Sequence, residues 1–148
     1  MKHTHFLLSI LILFVSCEPS TGYTTPEQNK IIYLLTSGIW QRQSIDEASK
    51  VEVLNSWRFE NNGKGSNRIE RFEDGVKAYD KTFYFQWAFT TENMAVIYIL
   101  RQETGEEFWY IMDLTDSVLK VRASIKDPVL TPGIEYSEWI YKHYITED

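Results

Sequence analysis

The chain has 148 residues and a formal net charge of −6 at pH 7, which argues against nucleic-acid binding, since that function needs a basic face. The lysines and arginines are scattered, and the closest set is Lys64, Arg68 and Arg71. Once a leader at the N-terminus is set aside, about 130 residues remain, the usual size of one domain.

The N-terminus has the pattern of an export signal. Lys2 precedes the run from Phe6 to Val15, which is apolar apart from Ser9. A helix that crosses a bilayer needs roughly 20 apolar residues, so this run is too short to span a membrane. A positive residue before a short apolar run is typical of a signal peptide, which we place at residues 1–16.

Cys17, the single cysteine of the chain, directly follows the apolar run. The stretch LFVSC resembles the lipobox of bacterial lipoproteins, in which a small residue, here Ser16, precedes the acylated cysteine. The resemblance implies a lipid anchor on Cys17 and a place in the bacterial cell envelope, with the outer membrane as the expected membrane. The alternative is an ordinary secretory signal that leaves a free thiol. Residues 17–26 are interpreted as a lipidated tether and residues 27–148 as the folded domain.

A short helix is predicted over residues 27–37. Thr25 is suited to the N-cap, Pro26 to the first helical position, and Gln28 stands where a capping box needs a glutamine. Gly38 is predicted to end the helix in the left-handed conformation.

After the helix, the hydrophobic period changes to the two-residue alternation of β-strands. Most connections are short and carry turn residues, such as the Asn-Gly pair at residues 62–63. Eight strands linked in this way predict an all-β fold, an antiparallel up-and-down meander that closes into a barrel and so leaves no bare edge. A β-sandwich is the structural alternative. The predicted strands cover residues 39–46, 52–60, 65–73, 78–90, 94–102, 106–113, 117–124 and 136–144.

Several residues resemble the motifs of the lipocalins. An N-terminal helix is followed by Gly-x-Trp, here Gly38 and Trp40, at the start of the first strand. Lipocalins carry Thr-Asp-Tyr between the sixth and seventh strands, where this chain has Thr115 and Asp116 followed by a serine. In lipocalins a basic residue after the last strand packs over the tryptophan, and the resemblance implies that Lys142 has this role.

A further stretch, WRFENNGKG at residues 57–65, is similar to the second-strand hairpin of the small lipocalin-like domains in lipoproteins of the Bacteroidetes kind. Together these resemblances imply an eight-stranded lipocalin-like barrel with one short N-terminal helix.

The pattern of polar residues does not predict catalysis. His143 is the one histidine after the leader, and no Gly-x-Ser-x-Gly accompanies it, so we interpret it as a surface histidine. A zinc site needs several His or Cys ligands, and we therefore expect neither a metal nor a cofactor. Carboxylate pairs such as Glu106 and Glu107 lie at predicted turns, where solvated charge is the first expectation.

An aromatic set suggests the main functional hypothesis. Side chains of this size either fill an eight-stranded barrel or surround one small ligand, and the sequence leaves both outcomes open. Arg58, Arg68 and Arg122 are candidates to pair with a ligand carboxylate at the barrel mouth, although solvated surface is the first expectation for each. The candidate lining residues are Trp57, Phe59, Phe83, Phe85, Trp87 and Phe89, together with Trp109 and Tyr110.

The sequence therefore favours a lipid-anchored, non-catalytic envelope protein that binds a small apolar or amphipathic molecule in its barrel. The alternative is a solid barrel that holds an envelope protein partner. For that alternative, Trp139 and Tyr141 share one face of the last strand, and the loop at residues 127–133 is long enough to recognise a partner.

Overall fold

The computed structural model describes residues 24–144, so the predicted signal peptide, Cys17 and most of the tether lie outside the described residues. Every predicted strand is present, and each begins and ends within two residues of the predicted range. Among residues 24–144 we find no helix long and apolar enough to cross a membrane. The elements are α1 (Pro26–Thr36), β1 (Ile39–Asp46), β2 (Val51–Phe59), β3 (Lys64–Glu73), β4 (Val76–Phe89), β5 (Val96–Arg101), β6 (Gly105–Leu114), β7 (Val118–Ser124) and β8 (Ser137–Tyr144).

Helix α1 begins as the sequence predicts. The Oγ1 atom of Thr25 accepts a hydrogen bond from the backbone N–H of Gln28 at 3.2 Å. The side chain of Gln28 in turn accepts from the backbone N–H of Thr25 at 2.9 Å. This reciprocal pair satisfies two backbone donors that the first helical turn would otherwise leave free, and the predicted capping box is confirmed.

The end of α1 differs from the prediction. The helix ends at Thr36, and its C-cap residue Ser37 is in a right-handed conformation. Gly38 does not have the positive φ that was expected of it. Glycine is required here for a different reason. A Cβ atom at Gly38 would lie 2.2 Å from Nε2 of His143 and 2.9 Å from the backbone carbonyl oxygen of Tyr144. The position excludes a side chain because another strand passes too close.

The eight strands form a closed antiparallel barrel in which each strand pairs with its neighbours in chain order, as predicted. The barrel closes where β1 meets β8, and we call this junction the seam. Strand β1 pairs with β2 along its whole length. It pairs with β8 only through Ile39, Trp40 and Gln41, opposite the segment 142–144. The seam is therefore connected at one end of the barrel and open along the rest of β1.

The two ends of the barrel differ. At the helix end, where α1 leads into β1, Leu35 and Trp40 are fully buried, and the indole N–H of Trp40 donates to the carbonyl of Leu35 at 2.9 Å. At the opposite end, which we call the open end, side chains that alternate into the interior reach solvent. Tyr79 is an example, with 39% of its surface exposed. Inward-facing side chains at the open end are therefore accessible to solvent.

Candidate functional site

Aromatic side chains fill the interior from the helix end to the middle of the barrel. Trp57 and Trp109 meet edge to face with ring centroids 4.5 Å apart, and Phe59 lies 5.5 Å from Trp87 in the same arrangement. Edge-to-face pairs at these distances are close core contacts. These rings form a filled core, which we call the aromatic cluster. The buried members of the predicted lining set are Trp57, Phe59, Phe85, Trp87 and Trp109.

The remaining aromatics of the predicted set lie nearer to solvent. Phe83 and Phe89 are half-buried on the inward face of β4, and Nζ of Lys81 lies 4.5 Å from the centroid of the Phe83 ring. Tyr110 points outward, because it is 38% exposed while the adjacent Trp109 is fully buried.

The three arginines considered for a ligand carboxylate lie on the outer surface. Arg58 is exposed, Nη2 of Arg68 contacts Oδ2 of Asp80 at 2.6 Å, and Nε of Arg122 donates to Glu138 at 2.9 Å. Their strand positions alternate with inward-facing residues, so none of the three faces the interior.

The residues that resemble lipocalin motifs meet at His143. Its imidazole ring stacks on Trp40 with centroids 4.7 Å apart and an interplanar angle of 28°, and its Nδ1 donates to the backbone carbonyl of Asp116 at 2.7 Å. The place expected for Lys142 is thus taken by His143, and Lys142 is exposed on the outer face. Side chains alternate along β8, so Tyr141 and His143 point inward and the residue between them cannot. His143 is therefore a structural contact and not the free surface histidine that the sequence suggested.

The turn before β7 places the backbone carbonyl of Asp116 beside His143. Oγ1 of Thr115 accepts from the backbone N–H groups of Val118 at 3.0 Å and Ser117 at 3.3 Å. These bonds fix the turn. They hold the carbonyl of Asp116 towards His143, so the predicted Thr115 and Asp116 pair has a role in the helix-end contact.

A layer of polar side chains crosses the interior between the aromatic cluster and the open end. We call it the inner polar layer, and it consists of Arg42, Asn55, Asn67, Arg101 and Glu107. Asn67 is fully buried, and its Nδ2 donates to Oδ1 of Asn55 at 2.5 Å. Sequence analysis missed this layer because polar strand residues were assigned to the outside. Three of the five stand two positions from a buried tryptophan on the same strand, and that spacing was the available signal.

The guanidinium groups of the two interior arginines lie over aromatic rings. The guanidinium of Arg101 lies 4.7 Å from the centroid of Trp57 and forms an ion pair with Glu107. The guanidinium of Arg42 lies 3.9 Å from the centroid of Trp139. In the described part of the chain, no carboxylate lies within salt-bridge distance of Arg42. The layer therefore contains one paired and one unpaired guanidinium.

Three polar atoms of the layer are buried without a hydrogen-bond partner among residues 24–144. They are Nε of Arg42, Nε of Arg101 and Oδ1 of Asn67. A buried polar group left in this state costs about 1–3 kcal/mol, so such atoms are uncommon in a folded protein. Two of the three are donors and one is an acceptor. The layer therefore has hydrogen-bonding capacity that the described residues do not use.

The hydroxyl of Tyr141 lies within electrostatic reach of all three charged groups of the layer. Burial raises the pKa of Tyr141 well above its usual range, while the charge of Arg42 lowers it, Glu107 raises it and Arg101 lowers it. The indole N–H of Trp57 also faces this hydroxyl and lowers the pKa, although it makes no hydrogen bond of full geometry. The phenol stays protonated at neutral pH and is a neutral polar group among these charges.

Two recesses have residues of the inner polar layer in their lining. One, of about 280 Å³, opens at the open end and is lined in part by Arg101, Glu107 and Trp139. The other, of about 320 Å³, lies over the seam on its outer face, and Arg42 is part of its lining beside Gln41, Ile140 and Lys142. The ring of Trp139 lines the first recess and contacts the guanidinium of Arg42, so Arg42 lies close to this recess.

Comparisons of the chain with protein-family models, curated proteins and solved structures found no match. The closed eight-stranded antiparallel barrel is compatible with a lipocalin-like fold. Within residues 24–144 we find no group of three His, Cys, Asp or Glu side chains that could hold a metal ion.

Proposed function

We propose that the protein is a lipid-anchored, non-catalytic binding protein of the cell envelope that holds a small amphipathic molecule at the open end of its barrel. The observation that carries the proposal is the contrast between a filled aromatic cluster and an open recess beside the inner polar layer. A wholly apolar cargo in the middle of the barrel would have to displace packed rings, which is costly in a close-packed interior. The recess at the open end needs no such displacement.

The walls of this recess suit a molecule with two kinds of surface. Trp139 and Ala123 supply apolar contact, while Arg101, Glu106 and Glu107 supply charge and hydrogen bonds. Ligand sites typically combine apolar walls with a few placed polar groups. An amphipathic molecule would place its apolar part on Trp139 and its polar part against the layer.

The envelope location in this proposal comes from the sequence. Residues 1–16 have the pattern of a signal peptide, and Cys17 follows as the candidate lipidated cysteine. An acylated Cys17 would hold the domain at a bacterial membrane, with the outer membrane as the proposed site.

The only carboxylate in the inner polar layer is committed to structural contacts. Glu107 is paired with Arg101, and its Oε1 accepts from the indole N–H of Trp109 at 2.7 Å. A general acid or base needs a carboxylate free to exchange a proton with a substrate. We therefore include no catalytic step in the proposed function.

The test is ligand recovery and direct binding. Full-length protein purified from its own membranes would be examined by native mass spectrometry and solvent extraction. Binding of the neutral probe N-phenyl-1-naphthylamine would be followed through probe fluorescence. We expect saturable binding at one site, weakened by Trp139→Ala and unchanged by Tyr33→Ala, which removes a 69% exposed ring on α1. Recovery of apoprotein alone, together with no saturable binding, would overturn the proposal.

A second candidate function is docking of an envelope protein partner, and one observation favours it. The connection between β7 and β8 exposes apolar side chains, with Ile125 77%, Val129 56% and Leu130 81% exposed. Exposed apolar groups close together are typical of interaction surfaces. Cross-linking in intact membranes would decide for this function if one specific protein were captured through residues 125–130 and no small molecule were recovered.

A further inference from the structure

The inference concerns the chemistry of the ligand, and it rests on the proposed function. The charges of the inner polar layer do not balance. Arg42 and Arg101 each carry one positive charge, and Glu107 carries one negative charge, which the ion pair assigns to Arg101. Arg42, which is half-buried, is left without a paired carboxylate among the described residues. Charges removed from water are stable only when they are paired or well hydrogen-bonded.

The unpartnered atoms of the layer match the same kind of group. Nε of Arg42 and Nε of Arg101 are buried donors without an acceptor among the described residues. Charged donors bind ionised oxygens most strongly, and a guanidinium edge fits the paired oxygens of a carboxylate or phosphate. An oxyanion would therefore satisfy these two donors better than a neutral ligand group would.

Both guanidinium groups are already held in position. Arg42 lies against Trp139 and Arg101 against Trp57, at 3.9 and 4.7 Å from the ring centroids. A guanidinium that lies over a ring can still donate hydrogen bonds from its N–H edge, and in Arg101 part of that edge is taken by Glu107. A side chain ordered before binding loses less entropy when the ligand arrives.

Apolar walls lie beside these groups. The recess at the open end is lined by Trp139 and Ala123 together with Arg101 and Glu107. A ligand that enters there meets the charged layer with its leading end, while its apolar part remains against Trp139. The fully buried Asn67 supplies an acceptor, Oδ1, for a hydroxyl that the ligand carries.

We propose that the inner polar layer binds the oxyanion head group, a carboxylate or a phosphate, of an amphipathic ligand, with Arg42 as its main counter-charge. The head group lies between the edges of Arg42 and Arg101, and the apolar tail extends towards the open end. The two arginines thus favour a negatively charged head group, and the apolar walls of the recess favour a ligand that also has an apolar tail.

The experiment compares probes that differ only in one end. Octanoate, octyl phosphate and octanol would be titrated into the protein, with tryptophan fluorescence and calorimetry as readouts. We expect octanoate or octyl phosphate to bind about tenfold or more tightly than octanol. The order of the two anions identifies the head group as carboxylate or phosphate. Acetate and inorganic phosphate, which lack the tail, should bind weakly.

The matched variants are Arg42→Gln inside β1 and Arg58→Gln on the outer face of β2. Arg42→Gln should remove the preference for the anions over octanol, whereas Arg58→Gln should keep it. If Arg42→Gln does not fold, Arg42→Lys keeps the charge but loses the guanidinium edge, and it should show a reduced preference. Equal binding of octanol and both anions to the unaltered protein would overturn the inference and leave the proposed function standing. Failure of every tailed probe to bind saturably would overturn both.

Discussion

His143 stacks on Trp40 directly across the seam, with ring centroids 4.7 Å apart, and the two residues also pair through their backbones. The seam has three backbone pairs, so this contact lies at the centre of the connection between β1 and β8. The stack ties the start of the barrel to its end and covers the indole that closes the helix end.

We expect His143→Ala to destabilise the protein by about 1–3 kcal/mol, since it removes both an aromatic contact and a hydrogen bond to the carbonyl of Asp116. Urea unfolding followed by tryptophan fluorescence measures the effect. Lys142→Ala is the matched control, because Lys142 is exposed on the opposite face of the same strand, and it should change stability by less than about 0.5 kcal/mol. Equal losses of stability in the two variants would contradict a stabilising role of the stack.

Gly38→Ala should also be destabilising, and its effect should depend on His143. The added Cβ would lie 2.2 Å from Nε2 of His143, and overpacking of this kind typically costs about 1–3 kcal/mol. In a His143→Ala background much of this obstruction is gone, so the cost should fall. A double-mutant cycle measured by urea unfolding checks the coupling. Strict additivity would contradict the contact that we assign to Gly38.

Gly65→Ala tests the aromatic cluster. A Cβ at Gly65 would lie 2.3 Å from Cζ of Phe85 and 2.6 Å from the backbone carbonyl oxygen of Arg58. Since Phe85 is buried and the carbonyl belongs to a paired strand, we expect a loss of about 1–3 kcal/mol. Thermal unfolding of Gly65→Ala and of Ser66→Ala, the adjacent outward-facing residue, gives the comparison. A loss no greater than that of Ser66→Ala would mean that the Phe85 ring moves aside freely.

The stability should depend on acid through Asp80. Hydrogen bonds from Arg68, and less strongly from Lys77, hold the pKa of Asp80 well below its usual value of 3.8, against the opposing effect of burial. Because the folded pKa is the lower one, the carboxylate stabilises the fold at pH values above 3.8, and this contribution is lost as the pH falls towards the folded value. The group is solvent-exposed, so salt should weaken the effect.

Asp80→Asn should therefore lower the melting temperature at pH 7, and the difference from the unaltered protein should shrink as the pH falls below 3.8. Melting curves across this pH range, at low and high salt, provide the measurement. Asp113→Asn is the control, since Asp113 is exposed and makes no salt bridge among residues 24–144. A difference for Asp80→Asn that stayed constant down to low pH would show that the carboxylate charge is not responsible.

Local rules in the sequence accounted for most of the fold. Alternation and turn residues located the strands, and the spacing of Thr25 and Gln28 located the start of α1. Contacts between distant parts of the chain were not accessible in the same way. The need for glycine at position 38 comes from His143, which lies at the other end of the barrel sequence. No local pattern contains that information.

The inner polar layer was missed for a different physical reason. An arginine in a strand is expected to face water, and Arg42 would be placed outside on composition alone. Its position two residues after Trp40 determines its direction more strongly than its charge does. In β8, the same two-residue rule applied from Tyr141 would have identified His143 rather than Lys142 as the neighbour of Trp40.

The short seam also bears on how the barrel assembles. Almost all other strand pairs are hairpins between consecutive strands, whose residues meet early because little chain entropy is lost in closing short loops. Pairing Ile39 with Tyr144 joins the two most distant residues of the sheet. The three residue pairs of the seam must compensate for the chain entropy that this closure costs. We expect the meander to form first as a curved sheet and the barrel to close last, when the ring of His143 stacks on Trp40 across the seam.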